Sequence, residues 1–213
     1  MSLEQLRGIR RKEEQKHLYL EKFRKSLIVY SLYLVIFSVF ILLNACIGYS
    51  SAPFYTPDTS CSAFSPNAAC VALKNSTAAL YMLEMAFALI LCANGCLAVT
   101  LCDNLENKCL QTLTANYSKF GLLLYPALMI TRMILYFDVI KRARPEMTDA
   151  IGVYAEMFAV YINNDATQIT VTSIVVVLYI ACCIDCFCIF KSCKKLKIYL
   201  NGTGSEAIQS FVS

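Results

Sequence analysis

Glu84 sits in ALYMLEMAFALILCANGCLAV, residues 79–99, where almost every other side chain is apolar. Asn94 follows ten positions later, and Asn44, Arg132 and Asp185 occupy surroundings of the same kind. A carboxylate, a guanidinium and an amide have few uses in such surroundings. They line an ion path, relay protons, or fasten one helix to another through a satisfied polar contact. Enzymatic acid–base chemistry fits poorly, because His17 is the sole histidine of the chain. The sequence also lacks a Gly-rich phosphate loop, a nucleophile elbow, a His-Glu zinc helix and a Cys-His pair with a supporting acid. The expectation is a protein that is not an enzyme and carries no cofactor.

The 12 cysteines are the second group with chemical potential. Cys61 and Cys70 bracket SAFSPNAA, with Pro66-Asn67 as a turn signal, and read as a disulfide clipping a short lobe. Loop-closure entropy makes such a clip worth about 2–3 kcal/mol. CCIDCFCIFKSCKK, residues 182–195, invites a metal reading. A structural zinc site needs closed Cys/His spacing, usually on a turn, whereas these cysteines decorate a continuous helix. They read instead as small packing residues, with S-acylation of the membrane-proximal thiols Cys188 and Cys193, and no metal is expected. Asn75, Asn116 and Asn201 each open an Asn-x-Ser/Thr triplet, and of these only Asn75 falls on the side where glycosylation occurs.

The elements that must position these groups follow from hydropathy. The chain has 213 residues, 58% of them hydrophobic, and only 16% are charged, against about 25% in a typical soluble domain. Its apolar residues cluster in four runs, 27–49, 78–102, 120–140 and 169–190. Each approaches the roughly 20 residues that cross a hydrocarbon layer as helix. The fold expected is an all-α membrane protein: a four-transmembrane-helix bundle over 27–190, with a small extracytoplasmic cap of outer loops 50–77 and 141–168. Residues 1–26 read as a cytosolic basic amphipathic helix suited to anionic lipid headgroups, and 191–213 as a cytosolic tail. Lys and Arg are dense before the first run and after the last, which places both termini and the middle loop in the cytosol. The KRAR cluster, 141–144, is the discordant feature. Loop 1 reads as irregular apart from its clip. In loop 3, Pro145 and Glu146 resemble a helix start, followed by an apolar stripe from Met147 to Tyr161 that suits a helix on the outer membrane surface. Nucleic-acid binding fits badly, because the basic residues abut a membrane and alternate with glutamates.

A rise of about 1.5 Å per residue converts position into depth. Glu84 lies about 9 Å below the outer end of its span, Arg132 about 12 Å and Asn44 about 8 Å, so these three form an expected outer polar layer. Asn94 and Asp185 form an expected inner layer, roughly 8–12 Å from the cytosolic surface. Glu84, Ala88, Cys92 and Cys96 recur at i, i+4, i+8 and i+12 and read as one face, small apart from the acid. Glu84 is then a packing device paired with Arg132, and Asp138 pairs with Arg142 at i, i+4.

Four spans, cytosolic termini and a disulfide-bearing outer loop resemble the broad tetraspan set of claudins, tetraspanins, MARVEL proteins and channel auxiliary subunits. Claudin-like chains carry a tryptophan-rich motif, and this chain has no Trp. Tetraspanins carry Cys-Cys-Gly between spans 3 and 4, and loop 3 here has no cysteine. The resemblance covers architecture and carries over no functional residue. The role expected from the whole reading is an auxiliary or scaffolding subunit of a larger membrane complex, such as a channel, transporter or receptor, in the plasma membrane or an endomembrane. The alternatives are a pore-forming oligomeric channel subunit, with Glu84, Arg132 or Asp185 lining the path, and a supernumerary subunit of an energy-transducing complex.

Overall fold

The computed structural model describes residues 3–51, 68–146 and 165–201. The described chain is all-helical, in the order α1 Leu3–Ser51, α2 Ala68–Asp103, α3 Lys108–Glu146 and α4 Asp165–Asn201. Each contains a segment long and apolar enough to cross a membrane: Glu13–Ile47, Asn75–Asp103, Lys108–Asp138 and Ser173–Asn201. The architecture is that of an integral membrane protein with four spans.

The helices run past the apolar segments that identify them. Residues 3–26 are no separate amphipathic element but the first half of α1, because nothing from Lys25 to Leu27 breaks a helix. Residues 68–77, expected in an irregular loop, already belong to α2, and 191–201 of the expected tail belong to α4. The expected middle loop shrinks to 104–107. There the amide N–H of Asn107 donates to the Asn104 carbonyl at 3.0 Å, and the Asn107 side chain accepts from the Leu110 N–H at 3.1 Å. Asn107 thus caps α3 in the usual N-cap manner, and KCLQTLTANYSK becomes its opening turns. Pro145 and Glu146, expected to start a helix, lie in the last described turn of α3. The apolar stripe expected beyond it lies outside the described residues.

Covered positions recur with one spacing. On α2 they are Thr77, Leu80, Glu84, Phe87, Leu91, Asn94, Ala98 and Leu101, at intervals alternating three and four. On α4 they are Tyr179, Cys182, Cys186, Ile189, Cys193 and Leu196. This is a heptad seam, the pattern that keeps one stripe facing a neighbouring helix. The opposite faces turn large apolar side chains outward, among them Phe40, Leu89, Leu123, Ile134 and Val177. A surface of that kind suits lipid as solvent.

The chain divides into two compact units. Unit 1 comprises Met1–Val35, Ala93–Leu122 and Ile184–Ser213, and its core includes Leu27, Leu34, Leu101, Ile189 and Leu196. Unit 2 comprises Ile36–Cys92 and Leu123–Cys183, with Ile41, Phe87, Leu91, Tyr125 and Tyr179 at its centre. In α3 the boundary falls after Leu122, whose carbonyl has no N–H to receive from Pro126.

Within unit 1, α1 and α2 approach so closely that a Cβ built on Gly95 would lie 2.7 Å from Val35 Cγ2 and 3.1 Å from the Ser31 carbonyl oxygen. A branched valine and a backbone carbonyl yield little. Gly95→Ala should therefore destabilise the fold by about 1–3 kcal/mol, as overpacked cores do, and Gly95→Leu by more. Denaturant titration in detergent micelles, followed by circular dichroism, measures both.

Candidate functional site

Among the described residues, unit 2 holds a buried ion pair. The α2 seam turns Glu84 inward, and α3 brings Arg132 opposite. Arg132 Nε donates to Glu84 Oε1 at 2.6 Å, and the two side chains keep only 5% and 4% of their surface. Arg132 Nη1 is buried without a hydrogen-bond partner, and aromatic rings lie near the pair. The guanidinium stands 5.6 Å from the centroid of Tyr136. One turn along α2, Phe87 stacks on Tyr179 at 4.0 Å and 7°, and meets Tyr125 edge-on at 5.1 Å and 82°. The pair is neutral as a unit, held at short range and covered by protein. Such an arrangement fastens two helices. Asn44 does not join it: α1 covers Leu34, Ser38, Ile41 and Ala45, and Asn44 is exposed. Equal depth does not fix azimuth, since adjacent residues on a helix point about 100° apart. Asp138 accepts a hydrogen bond from Ser76 Oγ at 2.7 Å, from α3 to α2, and the side chain of Arg142 lies outside the described residues.

Unit 1 holds a second buried polar contact. Asn94, fully covered, donates from Nδ2 to Cys186 Sγ at 3.1 Å and accepts at Oδ1 from Ser118 Oγ at 3.1 Å. One amide thus joins α2 to both α3 and α4. Asp185 was expected beside it. It is 9% exposed and makes no hydrogen bond or ion pair among the described residues. It lies instead towards Tyr30 of α1, whose hydroxyl meets the thiol of Cys188. At the end of this unit, Tyr19 stacks on Tyr199 at 4.4 Å, and Arg24 and Asp103 approach to 3.4 Å. The second contact is exposed and contributes at most about 1 kcal/mol.

The remaining residues singled out from sequence are dispersed. Glu84 and Ala88 are buried, but Cys92 is half-buried and Cys96 exposed, so the expected small-residue face is not one face. Steps of four advance about 40° beyond a full turn, and three steps carry the row off the seam. Cys193 is covered to 1%, which removes it as an accessible thiol, while Cys188 is half-buried. Asn75 is exposed and lies within α2 rather than in a loop. Cys61 and the side chain of Cys70 lie outside what is described, and the expected clip with them. No disulfide joins the ten cysteines whose side chains are described, and no three His, Cys, Asp or Glu side chains converge among the described residues.

Ser118, Gln111, Thr114, Tyr125 and Tyr179 escaped the sequence reading. The signal for the first four is a heptad spacing that continues backward from Arg132 through a polar stretch. No family model, curated protein or solved structure matches this chain.

Breaking the pair from one side strands a charge in an apolar interior. Glu84→Gln and Arg132→Met should each cost about 3–5 kcal/mol. The double variant should cost well under their sum, because it removes both charges together. A double-mutant cycle read by unfolding in micelles gives the coupling, and strict additivity would show that the pair does not act as one.

Proposed function

We propose that this chain is a non-enzymatic subunit of a larger membrane complex, associating within the bilayer with a channel, transporter or receptor, or scaffolding one. The observation that carries this reading is the closure of Glu84 on Arg132 at 2.6 Å in the interior of unit 2. A charge that serves ion traffic faces water or a cavity, whereas these two are occupied with each other. The apolar outward faces of α1 to α4 are the surfaces such a subunit would offer. Both termini lie in the cytosol on this reading, supported by the density of Lys and Arg at the two ends. The basic segment of α1 then meets anionic headgroups where it leaves the hydrocarbon. Cys61 and Cys70 form the clip on the opposite side, where Asn75 would be glycosylated. Cys188 is the acylation candidate that keeps an accessible surface.

Two measurements test this. The purified chain should be monomeric in mild detergent by light scattering, and should migrate with a larger component when extracted from its native membrane. A symmetric oligomer that conducts ions, with conductance altered in Glu84→Gln, would overturn the accessory reading in favour of a pore. Reduction should slow the chain on a denaturing gel, and Cys61→Ser should abolish that shift.

A further inference from the structure

The two intramembrane acids of the described interior are treated differently. Glu84 is satisfied within its unit by Arg132. Asp185, inside the span Ser173–Asn201, makes no hydrogen bond or ion pair among the described residues. It keeps 9% of its surface, so it opens narrowly onto the surface of unit 1. That surface is the seam where α1 and α4 meet, marked by Tyr30 and Cys188. Tyr33, three residues on from Tyr30 along α1, is half-exposed.

No described cation pairs with Asp185. Lys25 pairs with Glu21 at 2.8 Å, Arg24 with Asp103 at 3.4 Å and Lys16 with Glu106 at 3.8 Å. Lys194 lies over the ring of Phe190 at 4.8 Å. Lys191, the nearest cation along α4, is six residues on, about 9 Å along the axis and about 120° around it. Helical ion pairs form at three or four residues, not six. An acid in hydrocarbon without a cation is costly, and membrane proteins meet that cost by pairing.

We infer that the α1–α4 seam of unit 1 docks a transmembrane helix of a partner protein that carries a Lys or Arg within the bilayer, with Asp185 as its counter-ion. This rests on the accessory-subunit reading and names the partner's chemistry. The occupant is a membrane helix and not a soluble domain, because Asp185 lies five residues inside the apolar run that ends at Phe190, about 8 Å deep. Its cation must sit at that depth, which the long stems of Lys and Arg reach readily. Tyr33 and the Tyr30–Cys188 contact supply apolar and weakly polar surface that a helix can cover. Charge complementarity sets register along the seam, since a cation one turn off misses the acid by about 5 Å.

The test uses the full chain, donor-labelled at its N-terminus, in nanodiscs of zwitterionic lipid. The probes are acceptor-labelled Leu/Ala transmembrane peptides, identical except for one Lys or one Leu about 8 Å from one end. Energy transfer should show the Lys peptide binding about tenfold more tightly than the Leu peptide. Asp185→Asn should abolish that preference, and Asp185→Glu should retain it. Equal binding of the two peptides to the wild-type chain overturns the assignment, and so does an undiminished preference in Asp185→Asn. The wild-type comparison decides the matter alone if a variant fails to fold. Because the peptides are synthetic, their failure leaves the co-extraction result, and with it the accessory reading, unaffected.

Discussion

An acid placed in hydrocarbon must find a base, and in unit 2 that requirement organises what surrounds it. Glu84 and Arg132 come from different helices, so satisfying them fixes how α2 and α3 face one another. Once they meet, the seam positions on either side are fixed as well. Leu80 and Phe87 lie one turn away on α2, and Tyr136 one turn away on α3. The stacked and edge-on rings of Phe87, Tyr179 and Tyr125 then bring in α4 one turn away. In membranes the apolar effect does not choose between protein and lipid neighbours, so such polar constraints contribute specificity that packing alone lacks.

Unit 1 reaches specificity by uncharged means. Asn94 joins three helices through one amide, and its partners Ser118 and Cys186 are a hydroxyl and a thiol. Gly95, the next residue, lets α1 come within van der Waals contact of α2. The juxtaposition is economical: one residue supplies the polar tie and its neighbour removes the side chain that would hold the helices apart. Small residues beside a polar residue are a recurrent solution to helix association in lipid.

The spans were legible because hydropathy acts over some 20 residues and nothing else in a chain produces such runs. The meeting of Glu84 with Arg132 was legible because opposite charges at one depth have few other recourses. What the sequence concealed was azimuth and extent. Asn44 shares that depth but points away, and Cys96 drifts off the face that Glu84 begins, because four residues overshoot a helical turn. KCLQTLTANYSK falls between two apolar runs, yet its Gln111, Thr114 and Ser118 are polar residues on a covered seam. Counting in threes and fours through polar and apolar residues alike would have extended α3 back to Asn107. The aromatic cluster was hidden for another reason: Tyr125 and Tyr179 are far apart in sequence, and only packing unites them.

The two acids show how a membrane protein can separate holding itself together from holding another. Glu84 has its base in a buried pair, so its charge offers nothing to a newcomer without first breaking that pair. Asp185 has a hydroxyl and a thiol nearby but no base, and it opens narrowly onto the surface of unit 1. Were its role internal packing, a neutral residue of similar size would serve without the cost of burying charge; Asn94, in the same unit, is such a residue and is fully used. An acid retained where an amide would pack as well argues for a contact that needs the charge. In hydrocarbon the partner that needs a negative charge is a positive one.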